Sequence, residues 1–110
     1  MSAAGDPADR RIVEAFADAL RAAGYSVTAL VWYGSRVHDA RDAASDWDLI
    51  VVAPEFAGVR WVERLVGVYR HWPVAHAADI LCYTPAEFAR LARRATIVRE
   101  AVRTGCFLGT

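Results

Sequence analysis

Two acidic residues at alternate positions, Asp46 and Asp48, are the side chains of this chain best suited to chemistry. They begin an apolar segment whose pattern predicts a β-strand from Asp46 to Ala53. Because side chains alternate between the two faces of a strand, both carboxylates should point the same way. A divalent cation would relieve their repulsion, and Mg²⁺ prefers carboxylate and phosphate oxygens. The pair therefore predicts a metal site.

A phosphate-binding turn is predicted shortly before this pair. Gly34 and Ser35 follow an apolar segment, Val27 to Tyr33, that predicts a central strand, and they precede a predicted short helix from Ser35 to about Ala40. Backbone N–H groups at such a turn can bind phosphate. Arg36 could pair with phosphate through its planar guanidinium, or it could form an ordinary salt bridge on the helix surface.

A third acid, Asp79, interrupts an apolar segment that predicts a strand from Ala77 to Tyr83. Because a buried carboxylate without a partner is costly, we expect Asp79 to project beside Asp46 and Asp48 and to complete a three-carboxylate metal site. The alternative is a solvent-facing Asp at the edge of the sheet. We also expect Trp47 to point into the core and Tyr33 to line the site.

The two segments read GSRVH (residues 34–38) and SDWDLIVV (residues 45–52). This pattern, Gly-Ser followed after a spacer by Asp-x-Asp, resembles the motif of the nucleotidyltransferases related to DNA polymerase beta. It looks most like the minimal nucleotidyltransferase branch, whose members are compact single-domain proteins of bacteria and archaea, often encoded beside a HEPN-domain partner. One position departs from that branch, since Asp39 stands where its members commonly have Gly.

The resemblance implies a Mg²⁺-dependent nucleotidyltransferase that transfers AMP from ATP to a hydroxyl group. The three carboxylates would then be the catalytic residues and would hold two Mg²⁺ ions, while the nucleotide phosphates would be bound by Gly34, Ser35 and Arg36. The acceptor that the resemblance implies is a tyrosine of a HEPN toxin, with this chain as the antitoxin.

Two other functions fit the same sequence. One is a catalytically inactive binding module with the nucleotidyltransferase fold, which scaffolds or neutralises a partner protein; Asp39 and the lack of a substrate domain favour it. The other is transfer to a small molecule such as an antibiotic, although enzymes of that kind usually add a second domain to hold the acceptor.

Length, composition and charge limit the number of domains and the kinds of partner and location that this chain can have. The 110 residues predict a single domain, with residues 1–6 disordered. A formal net charge of zero argues against nucleic acid as a partner, and because all 13 basic residues are Arg there is no Lys nucleophile. The sequence shows neither a signal peptide nor an apolar run of membrane-spanning length, so we expect no membrane association and a cytoplasmic location.

The hydrophobic periodicity predicts the order α-β-α-β-α-β-α-α, an α/β (α+β) fold with a small mixed sheet of three or four strands packed with helices. Besides the short helix from Ser35, helices are predicted from Pro7 to Gly24 and from Trp61 to Trp72, and one or two further helical segments from Thr84 to Arg103. A broad buried face is expected on the second helix, formed by Trp61, Val62, Leu65, Val66, Val68, Tyr69 and Trp72.

Large apolar residues also predict association with another chain. Trp61, Trp72 and the terminal segment Cys106 to Leu108 offer more apolar surface than so small a domain readily buries. We therefore expect a homodimer or a complex with a HEPN-domain protein. The terminal segment itself is expected to form a short extension that pairs with another element.

Overall fold

The computed structural model describes residues 7–33, 47–74 and 77–93 and the backbone of residues 106–109. Within these residues the elements follow the predicted order. In chain order they are α1 (Pro7–Ala22), β1 (Ala29–Tyr33), β2 (Trp47–Val52), a 3₁₀ turn (Pro54–Phe56), α2 (Trp61–Tyr69), β3 (Ala78–Tyr83), α3 (Pro85–Ala92) and β4 (Cys106–Gly109). The predicted helix from Ser35 and the continuation of α3 to Arg103 lie outside the described residues.

The four strands form one mixed sheet in the order β3-β2-β1-β4. β1 is antiparallel to both β2 and β4, whereas β2 and β3 are parallel and are connected through α2. The sheet and its helices confirm the predicted fold class. β1 is central, as its apolar sequence predicted, and the C-terminal segment does pair, as the outer strand β4.

Gly24 ends α1 as predicted, by a Schellman-type arrangement. Its φ is +105°, and the N–H groups of Tyr25 and Gly24 donate to the carbonyls of Leu20 and Arg21 at 3.0 and 3.1 Å. Glycine adopts this left-handed conformation without the steric cost that a side chain would bring. The last regular residue of α1 is therefore Ala22, two residues before the glycine.

An aromatic core lies on the face of the sheet that α1 covers. Trp32 and Trp47 stack with ring centroids 5.5 Å apart, and Trp72 meets Trp47 and Phe16 edge-on at 5.2 and 5.1 Å. The core position predicted for Trp47 is confirmed. The prediction that Trp72 adds exposed apolar surface is wrong, since Trp72 is buried at the end of this stack.

The opposite face of the sheet is covered by α3. Phe88 and Leu91 pack against Val31, Ile50 and Val52. Strand alternation places the side chains of Asp48 and Asp79 on this same face, away from the aromatic core. The two candidate ligands and the tryptophan core are therefore separated by the sheet.

The predicted buried face of α2 is partly wrong. Trp61, Val62 and Val66 are 46, 68 and 57% exposed, and the buried residues of this helix are Arg64 and Val68. An arginine was not expected there, because a buried charge is costly unless it is paired. The helix is rotated relative to the prediction because Arg64 is held on its inner side.

Arg64 is held by four hydrogen bonds. Its Nε donates to the carbonyl of Val59 at 2.8 Å, and Nη1 donates to the carbonyl of Cys82 at 3.1 Å. Nη1 and Nη2 bond the two carboxylate oxygens of Glu87 at 2.7 and 3.2 Å. Glu87 also accepts from the N–H of Thr84, whose hydroxyl accepts from the N–H of Glu87, a capping box that begins α3. Arg64 thus joins α2, β3 and α3.

The pair of Arg64 and Glu87 makes the free energy of unfolding depend on pH. The hydrogen bond from Arg64 is the main reason that the pKa of Glu87 falls from its ordinary value of 4.5 to about 2. A carboxyl group whose pKa is lower in the folded state stabilises the fold fully at pH values above its unfolded-state pKa. This stabilisation is lost as the pH falls through its folded-state pKa.

We therefore expect wild type to exceed Glu87→Gln in free energy of unfolding by a constant amount above about pH 5. The excess should shrink between about pH 4.5 and pH 2. Urea unfolding across this range measures it. Glu63→Gln is the matched control, because Glu63 is 61% exposed in its pair with Arg60 and should change stability by less than about 1 kcal/mol. An excess that stays constant down to pH 2 would contradict the expectation.

In the part of the chain that the structure describes, no helix has the length and apolarity needed to cross a bilayer.

Candidate active site

Asp48 and Asp79 are neighbours across the parallel pair of strands. Asp48 of β2 is in register with Asp79 of β3, and neighbouring strands lie about 4.8 Å apart. Both side chains project from the same face, Asp48 half-buried and Asp79 exposed. Asp79 therefore lies beside Asp48, while its exposure on an outer strand also fits the alternative of a solvent-facing Asp at the edge of the sheet. Its role as a metal ligand stays a prediction.

Tyr33 extends this polar group to a third strand. It is in register with Asp48 across the antiparallel pair of β1 and β2 and lines the same cavity, as expected from the sequence. Burial, and then the negative charges of Asp48 and Asp79, raise the pKa of Tyr33 to about 12. The phenol therefore stays neutral at pH 7, in a place where two carboxylates favour the binding of a cation.

A cavity of about 430 Å³ opens beside these residues, within the usual range for a small-ligand site. Among the described residues its wall is mainly apolar, and the carboxylates of Asp48 and Asp79 and the Tyr33 hydroxyl contribute polar groups. It is lined by Tyr33, Asp48, Trp61, Leu65, Ala78, Asp79, Ile80 and Leu81. An apolar cavity with a few convergent polar groups is typical of a ligand-binding site.

A larger cavity, of about 610 Å³, lies between the C-terminal ends of α1 and α2. Of the described residues that line it, Glu55 alone carries a carboxylate, which accepts hydrogen bonds from the N–H and the hydroxyl of Ser26, both at 2.8 Å. Because these bonds already occupy both oxygens of Glu55, this cavity offers much weaker metal-binding chemistry than the one beside Asp48.

Trp61 is the residue of this cavity that sequence reasoning placed elsewhere. It was expected on the buried face of α2 or in contact with a partner, yet it lines the cavity and is 46% exposed. Its ring lies 5.3 Å from the ring of Tyr83, and the Arg64 guanidinium lies 5.6 Å from its centroid. One sequence feature could have indicated this position: Trp61 is the first residue of α2, the helix that connects the strands carrying Asp48 and Asp79.

Four predicted site residues lie outside the described residues: Gly34, Ser35, Arg36 and Asp46. Their roles in phosphate and metal binding stay predictions, as does the effect of Asp39. Within residues 7–33, 47–74 and 77–93, no three His, Cys, Asp or Glu side chains form a cluster that could hold a metal. Two of the three predicted ligands are described and adjacent, and the third immediately precedes Trp47.

The described donors fit a hard cation. Asp48 and Asp79 offer only carboxylate oxygen, and the charge of both reaches Tyr33. The nearby thiol, Cys82, points to the opposite face, where burial raises its pKa to about 12 and keeps it protonated. Oxygen donors without a thiolate favour Mg²⁺ over a softer metal such as Zn²⁺.

Comparison with known proteins gives little direct help. No protein-family model and no curated protein matches the chain. A crystal structure from Sulfolobus solfataricus, provisionally described as that of a nucleotidyltransferase, is similar over 74% of this chain and 68% of its own, with 21% identity and a TM-score of 0.49. Structural similarity at this level of identity and TM-score does not indicate the activity of this chain.

Proposed function

We propose that this chain is a Mg²⁺-dependent nucleotidyltransferase that transfers AMP from ATP to a hydroxyl group. The observation that carries the proposal is the register of Asp48 with Asp79 on the face of the sheet opposite the aromatic core, at a cavity of about 430 Å³. Two like charges side by side repel, and a bound cation offsets that cost. The Gly-Ser motif at residues 34–35 supports phosphate as the other ligand of that cation.

In the proposed reaction the carboxylates would bind the metal ions and the Gly-Ser turn would bind the phosphates. Asp48 and Asp79, with Asp46, would hold the cations, and bound Mg²⁺ would stabilise the attacking and leaving oxygens of the transfer. Gly34 and Ser35 would bind the phosphates through backbone N–H groups. Tyr33 would add a hydroxyl to the cavity beside the carboxylates.

The proposed acceptor is a tyrosine hydroxyl of a HEPN-domain protein, with this chain as the antitoxin. The structural support is α2, which lines the cavity with Trp61 and Leu65 and leaves Val62 and Val66 largely exposed. Exposed apolar residues on a helix that lines the site suit an acceptor that is itself a protein. The identity of that acceptor rests on the sequence resemblance.

The test is label transfer. Wild type incubated with the purified HEPN partner, Mg²⁺ and ATP labelled at the α-phosphate should place label on a tyrosine of the partner, and chelation of Mg²⁺ should abolish transfer. Mass spectrometry of the partner should find one added AMP group. Absence of label with the wild-type pair would contradict the proposal.

An inactive scaffold remains the second candidate, because the exposed apolar residues of α2 would serve a purely structural partner equally well. Calorimetry separates the two functions before any acceptor is known. An enzyme should bind ATP in the presence of Mg²⁺ and much less in its absence, whereas a scaffold should show no metal-dependent binding of nucleotide.

A further inference from the structure

Trp61 is a large aromatic side chain that the fold leaves half uncovered at the candidate site. Trp32, Trp47 and Trp72 are buried in the aromatic core, but Trp61 is 46% exposed. It lines the same cavity as Asp48 and Asp79. The exposed part of the indole is not used by the core, so it is available to a ligand.

The surroundings of Trp61 hold its ring in place. The ring of Tyr83 lies against it, with centroids 5.3 Å apart and planes inclined at 52°. The guanidinium of Arg64, 5.6 Å from the indole centroid, is fixed by its bonds to Val59, Cys82 and Glu87. An aromatic ring that is held in this way loses little side-chain entropy when a planar ligand stacks on it.

The remaining walls indicate which ligand fits. Of the described lining residues, Leu65, Ile80 and Leu81 are apolar, whereas Tyr33 and the carboxylates that would hold the metal-bound phosphates are polar. A ligand with charged phosphates at one end and a flat aromatic ring at the other fits both the carboxylates and the apolar wall beside Trp61. The nucleotide of the proposed reaction has that form.

We propose that Trp61 is the stacking platform for the nucleobase of the bound nucleoside triphosphate. The inference rests on the proposed function and assigns a base-binding residue to the same site. Stacking uses the face of the ring, so Trp61 would contribute affinity for the base without reading its hydrogen-bonding edge.

Calorimetry with two ligands tests the inference. Wild type, Trp61→Leu and Trp61→Phe are titrated with ATP and with inorganic tripolyphosphate, each in the presence of Mg²⁺. Loss of stacking should weaken ATP binding roughly tenfold in Trp61→Leu and less in Trp61→Phe, while tripolyphosphate affinity stays unchanged. Glu63→Gln is the control, because Glu63 lies on the same helix, is 61% exposed and does not line the cavity.

The outcomes separate this inference from the proposed function. Wild type that binds neither ligand overturns the proposed function and the base site with it. If Trp61→Leu binds ATP as tightly as wild type does, the base site alone is overturned. The same holds if Trp61→Leu weakens the binding of ATP and of tripolyphosphate by equal factors. Thermal unfolding of each variant is the folding control. Because Trp61 is half exposed, the variants should melt close to wild type, so that any loss of ATP affinity is a binding effect.

Discussion

Replacing Asp48 with Asn is expected to lower the rate of nucleotidyl transfer by roughly 100-fold or more. The substitution keeps the shape of the side chain but removes one negative charge from the proposed cation site, where charge stabilisation contributes several kcal/mol, and each 1.36 kcal/mol changes a rate tenfold. Asp79→Asn should have an effect of similar size, because the two residues are in register. Initial rates of label transfer at saturating ATP measure both.

The matched control is Asp18→Asn. Asp18 belongs to α1, on the opposite side of the sheet, and its side chain is 80% exposed, so the variant has the same change in net charge without touching the site. Mg²⁺ should raise the melting temperature of wild type and of Asp18→Asn, but much less that of Asp48→Asn, because a ligand stabilises only the protein that binds it. Equal rates in all three proteins would exclude Asp48 from the chemistry.

Replacing Arg64 with Met is expected to lower the free energy of unfolding by roughly 3 kcal/mol, the low end of the cost of breaking a buried ion pair by removing one partner. Arg64 is 8% and Glu87 31% exposed, and loss of Arg64 removes this donor from the carbonyl of Cys82 and leaves the Glu87 carboxylate with the N–H of Thr84. Urea unfolding at pH 7, read by circular dichroism, measures the change.

Arg60→Met is the control for this second prediction. Arg60 is four residues earlier and also pairs with a glutamate, Glu63, but the two side chains are 84 and 61% exposed, with 3.6 Å between Nε and Oε2. Exposed pairs contribute about 0–1 kcal/mol, so this variant should unfold almost as wild type does. If Arg64→Met and Arg60→Met cost the same, the buried pair does not stabilise the fold as described.

The strands and the position of Asp79 could be predicted because their signals are local. Continuous apolar runs indicated the central strands, and the two-residue period placed Asp48 and Trp47 on opposite faces. Asp79 followed as an acid within a third apolar run. These inferences required no knowledge of how the strands are ordered, and the parallel register of β2 with β3 then brought Asp48 and Asp79 together.

The orientation of α2 could not be predicted in the same way. Its apolar residues are spread around most of the helix, so periodicity alone did not decide which side faces inward. The decision comes from Arg64, whose partner Glu87 is 23 residues away in the sequence. That rotation turns Val62 and Val66 outward and places Trp61 in the cavity, which is why the residue was not recognised as part of the site.

The bonds from α2 to β3 also affect what the edge of the sheet can do. The carbonyls of Ala77 and Tyr83 accept from the N–H groups of Trp47 and Ala53, so the even-numbered residues of β3 turn their backbone groups outward. Two of those outward groups are occupied by α2, since the N–H of Ala78 donates to the Tyr69 hydroxyl and the Cys82 carbonyl accepts from Arg64.

An open strand edge is a template for adding a strand from another chain, and proteins commonly cover such edges. Here the side chains of Tyr69 and Arg64 occupy the outer edge of β3 near both of its ends. A partner that approaches this side must bind through side chains and not by extending the sheet. The same two residues protect the strand that carries Asp79 from edge-to-edge aggregation.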